Sequence, residues 1–193
     1  MRNNFVPRLI LSIFLAFFFS KNLLAQIDWQ SLQEGNKILL IRHASAPGGG
    51  DPIGFKINNC KTQRNLDQTG IEQSKNIGKL LKIKLIPIDV VLSSQWCRCK
   101  DTAKYAFKTY KEFPALNSTF QYPFNKNEEK QLKDIKRYIK NWKGNGKNLI
   151  MITHYSIITK LTNSTPSSGE IIVTDKNLNI LERIPTLKMG FFY

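Results

Sequence analysis

Three short, uninterrupted apolar runs constrain this chain more than any other feature: Lys37-Ile-Leu-Leu-Ile41, Asp89-Val-Val-Leu92 and Asn148-Leu-Ile-Met-Ile152. Runs of this length, without polar alternation and rich in Ile and Val, describe strands buried on both faces. Such strands need helices above and below the sheet, and the intervals supply them. Gly70 to Lys82 carries Ile71, Ile77, Leu80 and Leu81 at helical spacing, and Cys99 to Tyr110 turns Ala103, Ala106 and Phe107 inward. Glu128 to Trp142 carries Leu132, Ile135, Tyr138, Ile139 and Trp142, and Gly144-Asn-Gly146 ends it. Tyr155 to Leu161 reads as a short helix. Glu170 to Thr174 and Leu178 to Ile184 read as paired strands around a turn at Asp175-Lys-Asn177. Strands alternating with helices imply an α/β protein with a mainly parallel central sheet covered on both faces.

The first 25 residues stand outside this pattern. Arg2 and Arg8 precede an apolar run from Leu9 to Phe19, and the segment closes on the small residue Ala25. A basic start, a short apolar stretch and a small residue describe a secretory signal peptide. We therefore expect a signal peptide over 1-25, one domain over 26-193, and a periplasmic or secreted protein. The membrane would be a partner only through the signal segment, were it left uncleaved. With 193 residues in all, the remainder suits one domain. Hydrophobic residues make up 41% of the chain, which is enough for a core and argues against disorder.

The net charge is +15, which favours anionic partners: phosphorylated substrates, anionic lipid or glycan, or nucleic acid. Nucleic-acid binding needs basic residues clustered with aromatics on one face. Lys104, Lys108, Lys111 and Tyr110 come closest, with no recognised motif, so no nucleic-acid partner is expected. Cys60, Cys97 and Cys99 lack the ligand spacing of a zinc site. In an oxidising compartment, Cys60 would pair with Cys97 or Cys99 and leave one thiol over.

In sheets of this kind ligands bind outside the carboxyl ends of the strands. The chain has only two histidines, and both follow buried strands: His43 after Lys37–Ile41 and His154 after Asn148–Ile152. Arg42 precedes His43, and the strand Asp89–Leu92 runs into Ser93-Ser-Gln-Trp-Cys-Arg98. A histidine after a strand is usually an ordinary loop residue. Two histidines and two arginines converging on one sheet edge from three strands are better explained as a site. The chemistry suits phosphoryl transfer. A neutral imidazole is available as a nucleophile near neutral pH. Arginine forks and the N–H groups at the start of a helix stabilise charge on the transferred oxygens. Ser94 is a further candidate phosphate ligand, or else a helix cap.

These residues also carry a resemblance. Arg42-His43-Ala44 after an apolar strand resembles the Arg-His-Gly motif of the histidine phosphatase (phosphoglycerate mutase-like) superfamily. Asn65-Leu-Asp-Gln-Thr-Gly70 followed by Gln73 resembles its Leu-x-x-x-Gly-x-x-Gln step. Ser93 to Arg98 with Asp101-Thr-Ala103 resembles the segment of its second arginine, and Ile152-Thr-His154 that of its second histidine. The resemblance implies a three-layer α/β/α sandwich, His43 as the phosphorylated nucleophile, and Arg42, Arg98 and His154 around the phosphoryl group. No metal or organic cofactor is implied. The chain departs from the pattern at Ala44, where glycine is usual, and in its general acid. In many members a glutamate follows the second arginine segment, whereas Ala115 to Pro123 holds no carboxylate. Glu128 is the candidate acid taken forward, with Asp51 in the Gly-rich loop as another. Either could instead be a helix-starting or solvated acid. The expected function is hydrolysis of a small-molecule or glycan phosphomonoester, with phosphorylated sugars or envelope glycans as the substrate class. The alternative is a phosphate- or phosphoglycan-binding module without catalysis.

Overall fold

A computed structural model describes residues 27–186. The expected signal segment and the aromatic tail Gly190–Tyr193 lie outside them. In chain order the elements are α1 (Trp29–Gln33), β1 (Ile38–Arg42), α2 (Gln68–Ile83), β2 (Ile88–Ser93), α3 (Cys97–Phe107), β3 (Lys111–Glu112), α4 (Glu128–Asn141), β4 (Asn148–Thr153), α5 (Tyr155–Thr162), β5 (Ile171–Thr174) and β6 (Ile180–Ile184). The strands form one six-stranded sheet in the order β3-β2-β4-β1-β5-β6. The first four run parallel, β5 returns antiparallel to β1, and β6 pairs antiparallel with β5.

Alternation along each strand divides the core in two. Leu39, Ile41, Ile150 and Ile152 pack with Ile77 and Leu81 of α2 and Ala103 of α3. Ile38, Leu40, Leu149 and Met151 pack on the opposite face with Ile135 and Ile139 of α4 and Ile157, Ile158 and Leu161 of α5. The result is the expected three-layer α/β/α sandwich. Each such fully buried aliphatic side chain stabilises the fold by about 1.5–3 kcal/mol. Gly78 allows α2 to lie against α3, because a Cβ there would come within 2.0 Å of the Ala106 carbonyl oxygen.

The helices begin where their caps dictate. Asp67 accepts from the Gly70 N–H at 2.7 Å, so α2 starts at Gln68, ahead of the expected Gly70. The helix after β2 opens at Cys97 and ends at Phe107, two residues earlier and three shorter at its far end than the apolar spacing suggests. Lys111 and Glu112 instead pair with Leu92 and Ser93 as a short edge strand. Neither that strand nor α1 is signalled by periodicity, because each is too short to show one. Of the two pairings open to Cys60, the structure has the bridge to Cys97, and Cys99 is a free, buried thiol. Among the described residues no helix is long and apolar enough to cross a membrane.

Candidate active site

Strand register sets the site. Arg42 pairs with Thr153 across the parallel β1–β4 ladder, so the next residues of the two strands, His43 and His154, leave the sheet side by side. The His43 N–H donates to the Thr153 carbonyl at 2.9 Å. The imidazole centroids are 5.4 Å apart and edge-on, and each histidine is 2% exposed. Ser93 pairs with Ile152 in the neighbouring strand, which brings Arg98, in the first turn of α3, to the same edge.

The glycine and glutamine that follow the loop form a brace. A Cβ on Gly70 would meet the Ser45 carbonyl oxygen at 2.0 Å, so glycine lets the start of α2 touch the loop behind His43. Gln73 then spans the gap. Its Oε1 accepts from the Ser45 N–H at 2.9 Å, and its Nε2 donates to the Ser168 carbonyl at 2.7 Å. Ala44 is fully buried and its N–H donates to Thr102 Oγ1 at 3.1 Å, so a methyl is accommodated where glycine is usual.

The two rings are held in defined tautomers. The Ala44 carbonyl can only accept, so its 2.8 Å contact fixes the proton of a neutral His43 on Nδ1 and leaves the lone pair on Nε2. Burial holds the His43 pKa well below its usual range. Arg98 adds to that effect, as do Arg64 and Arg42, while the Ala44 bond opposes it. His154 is likewise held well below its usual range by burial and then by Arg98, His43, Arg64 and Arg42. Ser94 Oγ donates to Asn117 Oδ1 at 3.1 Å, so at its 2.9 Å contact it accepts from Nε2–H of His154. Cys99 Sγ lies 3.4 Å from the same nitrogen. Burial pushes that thiol up to about 12, which makes it inert as a nucleophile near neutral pH.

These groups line a pocket of about 220 Å³. Arg42, His43, Arg64, Arg98 and His154 line it. Gly48, Gly49 and Gly50 of the loop line it too, with Ser118, Phe120, Gln121 and Tyr155. The Arg42 guanidinium stacks over the Tyr155 ring at 5.4 Å, and its Nη1 donates to the Pro166 carbonyl at 2.9 Å. The Nε atoms of Arg42, Arg64 and Arg98 are all buried without a partner. Unpartnered buried donors are costly. Three guanidinium groups, each with such a donor, line one small pocket and suit an oxyanion. Larger surface hollows, such as one of about 490 Å³ beside Phe113 and Trp142, hold neither histidine. Among the described residues no group of three or more His, Cys, Asp or Glu is placed to hold a metal ion.

Arg42, His43, Arg98 and His154 are thus brought together as expected. Three other expectations need correction. Ser94 does not line the pocket; it is fully buried, and its hydroxyl holds the His154 ring. Glu128 does not line the pocket either. It opens α4, where it accepts from Thr119 Oγ1 at 3.1 Å and pairs with Lys160 at 3.1 Å. Asp51 is a buried ion-pair partner of Arg98, at 2.9 Å, and not a free acid. No Asp or Glu is among the pocket-lining residues. Arg64 is the residue the sequence reading passes over. It directly precedes the Asn65-to-Gly70 segment, in an irregular stretch where no periodicity marks a direction, and only its adjacency to that segment could flag it.

No protein-family model matches the chain, and no curated protein matches its sequence. Solved structures do match. The protein histidine phosphatase SixA complexed with tungstate is 15% identical, with a TM-score of 0.55, over 80% of this chain and 99% of that one. A protein from Escherichia coli assigned as an alpha-ribazole-5'-P phosphatase is 16% identical, with a TM-score of 0.58, over 80% and 99%. The protein TTHB049 from Thermus thermophilus is 14% identical, with a TM-score of 0.55, over 77% and 98%. The chain therefore has the phosphoglycerate mutase-like fold found in histidine phosphatases, as the ordered motifs led us to expect.

Proposed function

We propose that this protein is a phosphatase that hydrolyses phosphomonoesters through a phosphohistidine at His43. One observation carries the reading. His43 keeps its Nδ1 proton on the Ala44 carbonyl, which leaves Nε2 as a nucleophile in a pocket with three arginines whose Nε donors have no partner. Nε2 attacks phosphorus, the P–O bond to the leaving group breaks, and the leaving oxygen takes a proton. Water then attacks phosphorus, the P–N bond breaks, and phosphate departs. Arg42, Arg64 and Arg98 neutralise charge on the transferred oxygens throughout, and His154 donates to them when protonated. Burial and the arginine charges keep His43 neutral at neutral pH, which is the form that attacks.

With no carboxylate lining the pocket, the proton for the leaving group comes from water. General acid catalysis contributes about 10²–10⁴-fold, so turnover falls steeply as the leaving group becomes more basic. The proposed working location is outside the cytoplasm. The basic and apolar pattern of residues 1-25 supports it, and so does the Cys60–Cys97 bridge. Phosphorylated sugars or envelope glycans are the substrate class that this location favours. The missing acid gives one reason to keep a second reading, a phosphate-binding module that does not turn over.

The test is hydrolysis of a phosphomonoester with an activated leaving group by the mature protein and its His43→Ala variant, in a metal chelator. Chelator-resistant turnover that disappears in the variant is expected. Turnover retained by the variant would end the proposal. Phosphate binding without turnover in the unaltered protein would establish the binding module instead.

A further inference from the structure

The Gly-rich loop brings a carboxylate to the site that the phosphatase reading leaves without a task. Both Asp51 oxygens accept from Arg98 Nη1, at 2.9 and 3.1 Å. Oδ2 also accepts from Trp96 Nε1 at 2.9 Å, and Oδ1 from the Arg64 N–H at 3.0 Å. The Asp51 backbone is held in turn by Gln121, whose Oε1 accepts from its N–H at 2.7 Å and whose Nε2 donates to its carbonyl at 3.1 Å. Asp51 and Arg98 have side chains only 2% and 4% exposed.

The contacts are one-sided on the guanidinium. A guanidinium presents a two-pronged fork through Nε and Nη2, whose N–H bonds run parallel. Asp51 occupies Nη1 and leaves that edge uncovered. Nε is buried with no partner, and Nη2 has only a long 3.4 Å contact to His154 Nδ1. We propose that Asp51 is a positioning residue: it pins Arg98 by Nη1 so that the Nε–Nη2 edge faces the phosphoryl group held at His43. The inference rests on the phosphatase reading and names a residue that positions one of its phosphate-binding groups. The Cys60–Cys97 bridge ties the loop to the residue just before Arg98, so the two halves of the ion pair are joined covalently as well.

Binding of inorganic phosphate by calorimetry tests this, using the disulfide-intact protein, Asp51→Asn, Arg98→Gln and the double variant. A loss of pinning and a simple loss of negative charge act in opposite directions. Loss of pinning weakens phosphate binding about tenfold or more, the worth of one charge-assisted hydrogen bond. Loss of a nearby negative charge alone tightens it. In the double variant, phosphate should bind as it does to Arg98→Gln alone, because Asp51 acts through Arg98. Binding that is unchanged or tighter in Asp51→Asn, or losses that simply add, would overturn the proposal. Removing one member of a buried pair can prevent folding. For that case Asp51→Glu keeps the charge and moves it by one methylene. It should melt near the unaltered protein and still bind phosphate several-fold more weakly, and full affinity in that folded variant would also overturn the proposal. Absence of phosphate binding by the unaltered protein would instead strike at the phosphatase reading.

Discussion

Replacing Arg64 with alanine removes one of the three arginines that line the pocket, each with a buried, unpartnered Nε. A hydrogen bond from a charged donor contributes about 1.5–3 kcal/mol. At 1.4 kcal/mol per decade that is about a ten- to hundredfold weakening of phosphoryl binding. KM for a phosphomonoester and the inhibition constant of inorganic phosphate should both rise by that factor. Charge on the transferred oxygens grows toward the transition state, so kcat should fall as well. A second effect separates charge from packing. The Arg64 charge is one of the causes holding both histidines below their usual range. Its removal should move the acid limb of the kcat/KM profile toward higher pH. Arg64 Nη1 also holds the Ala46 carbonyl, so part of any loss could reflect a loosened loop. Arg64→Lys keeps the charge without the fork, and should restore the acid limb while recovering only part of the affinity. Steady-state kinetics across pH, with thermal melts as a control, makes the comparison. A folded Arg64→Ala protein whose KM and phosphate inhibition match the unaltered protein would refute the reasoning.

Three further outcomes are expected. Both histidines have folded pKa values below their unfolded ones, so the unfolded chain binds more protons as the medium becomes acidic. The stability they contribute is complete above the ordinary histidine pKa of about 6.5 and is lost as pH falls below it, by at most about 1.4 kcal/mol per pH unit for each histidine. Melting temperatures measured from about pH 8 to about pH 5 should show that loss, and His43→Gln should reduce it; an equal slope in the variant would count against a buried neutral His43. Ser94→Ala should lower kcat far more than phosphate affinity, because it frees the His154 ring without touching the pocket, and a change in phosphate affinity alone would return Ser94 to the role of ligand. The Cys60–Cys97 bridge closes 37 residues of chain, worth about 4 kcal/mol through the unfolded state, so Cys60→Ser should lower denaturant stability by roughly that amount, and an unchanged midpoint would refute it.

The framework of this fold is written in local pattern. Ile38–Ile41 and Leu149–Ile152 are apolar on both faces because helices cover both faces, so their burial is legible before any contact is known. Placing His43 and His154 together requires only the rule that strand ends in a parallel sheet share an edge, and the Arg42–Thr153 register makes it literal. The less legible part is what through-space partners decide. Asp51 and Glu128 are both acids near the site in sequence terms, yet one is spent on Arg98 and the other on Lys160. Nothing local to either residue announces its partner. Arg64 is silent for a related reason. It lies in an irregular stretch after the short 3-10 turn at Cys60–Thr62, where side-chain direction follows from the loop's tertiary path and from no period. The place of Ser94 just ahead of Arg98 suggests a ligand, but the chain turns between the two, and only the folded structure separates the front of His154 from its back.

The most direct measurement of the central claim is trapping of the phosphorylated protein. The protein is mixed with an activated phosphomonoester, quenched in alkali, where phosphoramidates survive, and the adduct is mapped by mass spectrometry. The account predicts a single phosphoryl group on His43, absent in His43→Ala and discharged by water at a rate no slower than turnover. Turnover without an adduct, or an adduct on another residue, would contradict it.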